Sequence, residues 1–288
     1  MSFTKRVREE CAQYQEKKKC CQKAEILGIT LAGDALLGGE WVFFSENEAK
    51  KKHIAALFKW AFSLRESVII DEKCIYIDHP GDTLGVLSDL SLLGRVEASA
   101  EIIQKDCCKR AFTRGVFQVA GHISDPEKEY RMEFVLKSHA LCRMLCEALE
   151  AYEVHPKIAV RGEKYVVYLK KSEEIADVLK MMSANQSVWA FLDAKIQKKQ
   201  VNYANRQYNC DLANTNKTIK SSEEQRAVIE YLQAEGRLSS LPEKLREMAK
   251  MRMENPDASM AELGEIMGIS KGAVANRLRK IMEYKEGS

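Results

Sequence analysis

Long apolar runs, an excess of one charge and a secretion signal are all missing from this 288-residue sequence. No apolar run approaches the roughly 18 residues that a membrane-spanning helix needs. The charged segment from Met1 to Lys19 lacks the apolar core of a signal peptide. We therefore predict a cytoplasmic protein without membrane contact. The sequence has 45 basic and 42 acidic residues, for a net charge of +3. Because this charge is small, any nucleic-acid partner must be recognised by a local basic surface.

Catalytic and metal-binding signatures are missing as well. The sequence has no glycine-rich phosphate loop and no Gly-x-Ser-x-Gly turn. Its nine cysteines form no Cys-x-x-Cys pair, so a disulfide framework is not expected. His139, Cys142 and Cys146 share one helix face, but zinc needs a fourth ligand. We interpret the cysteines as small buried apolar side chains and predict neither a metal nor a cofactor.

What the sequence does contain is an internal repeat. The segment that starts at Lys18 matches the segment that starts at Lys105, 87 residues later. After each start, the apolar pattern predicts helix, strand, helix, hairpin and helix, over about 18–92 and again over 105–182. Two such halves predict an α+β domain with pseudo-twofold symmetry. Small residues four apart predict that the two repeat-start helices pack together: Gly28, Ala32, Ala111 and Gly115.

The C-terminal part of the chain is predicted to form a series of helices. Ser259 and Glu262 have the spacing of a capping box, Gly268 ends the helix that follows, and Ser270 begins the last one. Two helices joined by a short glycine-containing turn are typical of a helix-turn-helix. A plain helical hairpin is the alternative.

The last helix carries the candidate DNA-binding surface. Its apolar stripe predicts one buried face, and the segment from Lys271 to Lys280 has four basic residues and no acid. Arginine can read guanine and asparagine can read adenine, while flanking basic groups contact phosphates. The predicted DNA-binding residues are Ser270, Lys271, Gly272, Asn276, Arg277, Arg279 and Lys280.

A basic, asparagine-rich segment over 196–220 precedes these helices. We interpret it as a junction between two domains, with a structural role or direct DNA contact as the two alternatives. If it contacts DNA, the candidate residues are Lys198, Lys199, Arg206 and Lys217.

Several ordered motifs resemble the WhiA family of bacterial regulators. The helix from Thr113 to Gly121 is similar to a degenerate LAGLIDADG motif, the signature helix of homing endonucleases, and Ile26 to Asp34 occupies the matching place in the first half. The run from Asn205 to Lys217 is similar to a segment of the WhiA family. So are the shorter motifs Ser124 to Lys128 and Leu241-Pro242.

This resemblance implies a fold and a loss of chemistry. It implies a LAGLIDADG homing-endonuclease-like domain over 1–195, the junction over 196–220, and an all-α domain over 221–288 that is similar to region 4 of sigma factors. Cleavage by such nucleases needs a metal-binding carboxylate at the eighth motif position of each half. Gly33 and Ala120 stand there, so we predict no catalysis.

The sequence thus predicts a non-catalytic DNA-binding transcription regulator that acts at promoters in the nucleoid. The resemblance implies roles in sporulation, cell division and chromosome segregation, with a WhiB-like regulator or RNA polymerase as candidate partners. Two alternatives stay open. The N-terminal domain could bind a partner regulator, with DNA contact secondary, or a residual nuclease could use Asp34 or Asp125.

Overall fold

The structure, a computed structural model, describes residues 2–64, 66–94 and 96–286. The chain forms two compact units, residues 1–198 and residues 199–288, which we call the N-terminal and C-terminal units. Each unit has its own hydrophobic core. Met1, residues 65 and 95, and residues 287–288, which the predicted domains and repeats include, lie outside the described residues.

The N-terminal unit begins with a helix that precedes the repeat, α1 (Phe3–Gln13). The first half of the repeat then contains α2 (Lys19–Ala32), β1 (Leu36–Leu37), β2 (Glu40–Phe44), α3 (Glu48–Ala61), β3 (Val68–Ile70), β4 (Cys74–Ile77) and α4 (Pro80–Asp89). A 3-10 helix over Val96–Ile103 leads to the second half. That half contains α5 (Asp106–Ala120), β5 (Gly121–Ile123), β6 (Met132–Leu136), α6 (His139–Glu150), β7 (Lys157–Arg161), β8 (Lys164–Leu169) and α7 (Ser172–Met181).

The two halves have the same antiparallel sheet topology. The strand order is β1-β2-β4-β3 in one sheet and β5-β6-β8-β7 in the other. This repetition confirms the predicted pseudo-twofold α+β fold. The predicted order of elements was nevertheless wrong in one respect, because each half has an additional short strand directly after its repeat-start helix. These strands have only two and three residues, which is too short for an alternating pattern to stand out.

The two halves meet where α2 packs against α5, and we call this contact the seam. A Cβ atom on Gly28 would lie 2.5 Å from the carbonyl oxygen of Phe112, and one on Gly115 would lie 2.2 Å from that of Glu25. Since real Cβ atoms do not approach so closely, glycine is required at both positions. The predicted contact between the repeat-start helices is therefore confirmed, and the two backbones touch.

A buried polar network crosses the seam beside these glycines. Glu25 is fully buried, and its carboxylate accepts hydrogen bonds from Arg114 Nε at 3.0 Å and from Arg114 Nη2 at 2.6 Å. Its other oxygen lies 2.8 Å from His53 Nε2 and accepts a hydrogen bond of 2.9 Å from Gln118. Burial opposes ionisation of Glu25, but the charge of Arg114 and the hydrogen bond from His53 hold its pKa below the usual range.

One long helix, α8 (Asn185–Ala234), contains the boundary between the two units and the whole predicted junction 196–220. Residues 199–217 of this helix are exposed. A 3-10 helix over Arg237–Ser240 follows, and then α9 (Glu243–Glu254), α10 (Met260–Met267) and α11 (Lys271–Glu286). Among the described residues, no helix is both long and apolar enough to cross a membrane.

We expect the seam network to be sensitive to loss of one partner. Arg114→Met leaves the Glu25 carboxylate buried without its main counter-charge, so the N-terminal unit should lose about 3–5 kcal/mol of stability. The double variant Arg114→Met with Glu25→Gln removes both charges and should lose less. All three tryptophans, Trp41, Trp60 and Trp189, lie in the N-terminal unit, so their fluorescence in a denaturant titration of the full chain reports on this unit alone.

The same titration has a defined pH dependence. Because the pKa of Glu25 is depressed in the folded state, its stabilising contribution is present above the unfolded carboxyl pKa and is lost as the pH falls through the folded value. The stability difference between wild type and Arg114→Met should therefore shrink at acidic pH. A double variant no more stable than the single one would contradict this account.

Candidate nucleic-acid interface

Local capping interactions set the ends of α10. Ser259 Oγ accepts a hydrogen bond from the Glu262 amide at 3.3 Å, and the Glu262 carboxylate accepts one from the Ser259 amide at 2.7 Å. This confirms the predicted capping box, and the bond from the Ser259 amide lowers the pKa of Glu262. Gly268 ends the helix in the left-handed region, with φ of +65°, where glycine is favoured.

The turn between α10 and α11 depends on a second glycine. A Cβ atom on Gly264 would lie 2.6 Å from the carbonyl oxygen of Ile269, so the turn can pass this close to α10 only over glycine. The predicted apolar stripe of α11 is buried, together with Leu263 of α10. Since α11 packs against α9 as well as α10, the arrangement is a three-helix core rather than an isolated hairpin. The buried stripe consists of Val274, Leu278 and Ile281.

The predicted DNA-binding residues lie largely on the open side of α11. Ser270, Lys271, Gly272, Asn276, Arg279 and Lys280 are exposed, and Arg277 is half-buried. Ser270 also has a structural role, because its Oγ accepts a hydrogen bond of 3.2 Å from the Ala273 amide and so caps the helix. Side-chain groups suited to bases and phosphates thus share one accessible face.

Arg279 has partners on its own helix. Its Nη2 donates to Asn276 Oδ1 at 3.0 Å and its Nη1 donates to Glu283 Oε1 at 3.0 Å. The Arg279 and Glu283 side chains are 68% and 54% exposed, so separating this ion pair costs at most about 1 kcal/mol. Glu283 had no predicted role, although its spacing of four residues from Arg279 is the sequence signal for such an ion pair.

A groove of about 820 Å³ in the C-terminal unit gathers further cations. Arg277 and Lys280 of α11 line it together with Lys244 of α9. Arg237 also lines it, and its Nη2 donates to the backbone oxygen of Tyr284 at 2.9 Å. Sequence reasoning missed Lys244 and Arg237, because only the packing of α9 and of the 3-10 helix Arg237–Ser240 beside α11 brings them to this face.

A second groove, of about 520 Å³, connects the junction with the helix-turn-helix. Lys217 lines it together with Lys271 and with Ser259 at the N-terminus of α10. Of the other junction candidates, Arg206 is exposed and donates to the Asn202 carbonyl oxygen at 3.2 Å, and Lys199 is exposed. Only Lys217 among the four junction candidates lines this groove.

Lys198 has contacts within the N-terminal unit instead. Its Nζ donates to the carbonyl oxygen of Lys128 at 2.7 Å and lies 4.9 Å from the centre of the Tyr130 ring. A phosphate that bound this lysine would therefore have to replace its polar and aromatic partners.

The degenerate motif positions lie at the C-terminal ends of the seam helices. A Cβ atom on Gly33 would lie 2.7 Å from the Phe43 ring, so any larger side chain there would collide with an aromatic residue. Ala120 is the last residue of α5. Near that end, Lys50 Nζ donates to the Gln118 carbonyl oxygen at 2.9 Å and Arg8 Nη2 donates to that of Gly121 at 2.7 Å.

These two cations make the end of α5 unfavourable for a metal ion. Burial, with repulsion from Arg8, lowers the pKa of Lys50 to about 8. A divalent cation here would face two nitrogen groups that already occupy the carbonyl oxygens. The site thus presents positive groups where the nuclease chemistry needs carboxylates.

The two carboxylates proposed as substitutes have other partners. Asp34 adopts a left-handed conformation with φ of +49° and forms an ion pair with Lys137. Asp125 is exposed and accepts a hydrogen bond of 3.1 Å from the Glu127 amide, as a turn residue does. Within the described part of the chain, neither lies in a group of three or more ligand side chains close enough to hold an ion.

Known proteins resemble both units. Residues 109–200 match the family model described as the WhiA LAGLIDADG-like domain, and residues 204–285 match that of the WhiA C-terminal HTH domain. These matches confirm the predicted fold class.

Relatives extend the similarity over the whole length. The chain is 35% identical over 306 residues to the probable cell division protein WhiA of Syntrophomonas wolfei, covering 98% of this chain and 97% of that protein. It is 34% identical over 308 residues to the protein of the same name from Alkaliphilus oremlandii, covering 98% and 96%. Its fold is similar to the crystal structure of full-length DUF199/WhiA from Thermatoga maritima, with a TM-score of 0.61 at 20% identity over 99% and 98% of the two chains.

Two glycines of the helix-turn-helix provide a matched test of its packing. Gly264→Ala places a Cβ against the Ile269 carbonyl oxygen and should destabilise the C-terminal unit by about 1–3 kcal/mol, despite the better helix propensity of alanine. Gly272→Ala should be neutral or stabilising, because its Cβ would meet only Ser270 Oγ at 3.9 Å. Hydrogen exchange of peptides from α10 and α11 measures both. Equal protection in the two variants would contradict this expectation, because it would show that α10 and the following turn can move apart to accept the added methyl group.

Proposed function

The chain belongs to the WhiA family, and on that basis we propose that it is a DNA-binding transcription regulator that does not cleave DNA. The observation that supports this most directly is the exposed face of α11. Asn276 and Arg279 project from it opposite a buried apolar stripe, with basic side chains on either flank. A helix-turn-helix commonly places such a face in the major groove, where base edges present distinct donor and acceptor patterns.

The residues of this surface divide into two roles. Asn276 and Arg279 read base edges, since their amide and guanidinium groups offer the paired hydrogen bonds that adenine and guanine accept. Lys271, Arg277 and Lys280 contact phosphates and set the register on the duplex. Lys244 and Lys217 extend this phosphate-binding surface along the two grooves.

Ser270 and Gly272 allow close approach at the start of α11. Ser270 caps the first turn of α11 through the hydrogen bond that its Oγ accepts from the Ala273 amide, and Gly272 has no side chain on the open side of the helix. A helix N-terminus also favours an anionic neighbour, because its first amides are unpaired within the helix. We assign these two residues to contact with the DNA backbone.

The wider biological role rests on the relatives. Those described above are named probable cell division proteins, and we propose that this chain regulates genes for division at promoters in the nucleoid. Roles in sporulation and chromosome segregation, and a WhiB-like regulator or RNA polymerase as partner, are proposals from the family resemblance.

An alternative role for the N-terminal unit follows from one of its sheet edges. Strand β7 is exposed along its whole length, and its Ile158 and Val160 are 44% and 70% exposed. An exposed edge strand can pair with a strand of another protein. In this alternative the N-terminal unit binds a partner regulator and DNA contact by α11 is secondary.

Base reading and phosphate binding can be separated by substitution. Arg279→Ala or Asn276→Ala should weaken binding to a duplex selected by the wild-type protein by about 1–3 kcal/mol and flatten the preference at one or two base positions. Lys280→Ala should weaken binding to all duplexes similarly and reduce the salt slope by about one ion. Binding to selected and scrambled duplexes over a salt series measures both effects.

Lys250→Ala is the matched control for this experiment. Lys250 is an exposed lysine of α9 that pairs with Glu254 and lines neither groove, so its loss should leave affinity and salt slope close to wild type. If Arg279→Ala and Asn276→Ala fold normally yet keep full affinity and sequence preference, α11 is not the reading helix. The junction or the N-terminal unit would then be the DNA-binding surface.

We also expect no cleavage of the bound duplex. The experiment uses pure full-length protein in excess over its selected duplex, with Mg²⁺ or Mn²⁺ present. Both strands should stay intact, because the motif positions supply no carboxylate. Gel analysis of end-labelled strands measures this directly. Metal-dependent cutting that disappears in Asp34→Asn or Asp125→Asn would overturn the non-catalytic assignment.

A further inference from the structure

Each repeat begins with a pair of adjacent cysteines. Cys20 and Cys21 lie in the first turn of α2, and Cys107 and Cys108 lie in the first turn of α5. From the sequence alone, these residues were interpreted as small apolar side chains. The structure brings all four together at the N-terminal end of the seam, where their sulfur atoms lie within 4.8 Å of one another.

We propose that these four cysteines bind one zinc ion in a tetrahedral tetrathiolate site that links the two halves of the repeat. Four thiolates without other ligands are typical of structural zinc sites and of iron–sulfur centres. The site is formed by equivalent residues of the two repeats, so the ion would lie close to the pseudo-twofold axis.

The sulfur separations favour a single ion. With Zn–S bonds of about 2.3 Å, a regular tetrahedron has sulfur atoms about 3.8 Å apart. Cys20 Sγ and Cys21 Sγ are already 3.9 Å apart, and the widest pair needs to close by only about 1 Å. A cluster with several irons would have to spread the sulfurs further, so a mononuclear site fits best.

Two helix ends and one lysine supply positive charge near the four sulfurs. The N-cap residues Lys18 and Lys105 cap neither helix through their side chains, and the positive ends of both helix dipoles lie at this end of the seam. The charge of Lys18 acts on Cys107 across the seam, whereas burial opposes the charged form of Cys21 and Cys108 by raising the pKa of both thiols. Two helix dipoles and a lysine can therefore balance part of the charge of a tetrathiolate site.

Burial allows a stable but accessible site. Cys21 and Cys108 are each 1% exposed, whereas Cys20 and Cys107 are half-buried. Two ligands are thus held rigidly in the core, and two can turn toward an ion that enters from solvent. Once bound, the ion would cross-link α2 and α5 beyond their glycine contact, and its removal would loosen the seam.

Cobalt provides a spectroscopic test on the full chain. Full-length protein is first stripped of metal with a chelator under reducing conditions and then titrated with Co²⁺. We expect the intense charge-transfer and visible bands of tetrahedral Co²⁺ thiolate, which should saturate at one ion per chain. Zn²⁺ should displace cobalt and abolish these bands. Metal analysis of protein purified without chelator should find one zinc per chain.

Cysteine variants identify the ligands. Cys20→Ser with Cys107→Ser changes the two half-buried sulfurs and should lose the cobalt bands. The matched control, Cys74→Ser with Cys210→Ser, changes two cysteines outside the cluster and should keep them. Alkylation of wild-type protein offers a second readout that needs no variant to fold: Zn²⁺ should protect the half-buried Cys20 and Cys107 but not the exposed Cys210.

Three results would overturn the proposal. These are absence of tetrahedral bands in wild-type protein, bands that persist in Cys20→Ser with Cys107→Ser, or equal alkylation of Cys20 and Cys107 with and without Zn²⁺. A disulfide between the two repeats under the same reducing conditions would also exclude the zinc site, because it would consume the ligands.

Discussion

The N-terminal unit depends on the direct backbone contact between α2 and α5. Gly28 and Gly115 allow the two helices to touch, and each helix leads into one of the two four-stranded sheets. Contact at this distance leaves no room for large apolar side chains between the helices. The Glu25–Arg114 pair lies beside it, fully desolvated, and it constrains the geometry because a displaced helix would leave a buried charge unpaired. Steric fit and charge pairing therefore act on the same contact.

The two ends of this seam differ in chemistry. At the C-terminal ends, Phe43 fills the space next to Gly33, and Lys50 and Arg8 occupy carbonyl oxygens near the end of α5. Nothing in the helix contact itself requires a carboxylate at those ends, so the fold can persist without the metal ligands that cleavage needs. At the N-terminal ends, by contrast, thiols from both halves converge. The same symmetric packing thus leaves one end without metal ligands and supplies ligands at the other.

The sequence predicted most of the fold because long helices and hairpins carry strong periodic patterns. It missed α1, β1 and β5, since α1 is a charged segment and the two strands span only two and three residues. It recognised the repeat and the contact between the repeat-start helices but not the convergence of their cysteine pairs, because the spacing of small residues indicates that two helices touch and not how their ends align. Lys244 was missed for the same reason, since a groove between two helices exists only after they pack. Local signals sufficed for α11, whose buried stripe and exposed polar face follow from helical spacing alone.

If α11 reads bases as proposed, the contacts of Arg279 in the free protein bear on how this helix discriminates among sequences. Its guanidinium is held between Asn276 and Glu283, so reading a guanine means exchanging a carboxylate for a base edge. With the correct base the exchange restores two hydrogen bonds at little net cost. With the wrong base, Arg279 gives up Glu283 without a replacement, and the negative phosphates also disfavour Glu283 nearby. An internal competitor of this kind costs the same for every duplex that separates the pair, so only a base that returns both hydrogen bonds compensates for the exchange, and the difference between bases sets the specificity.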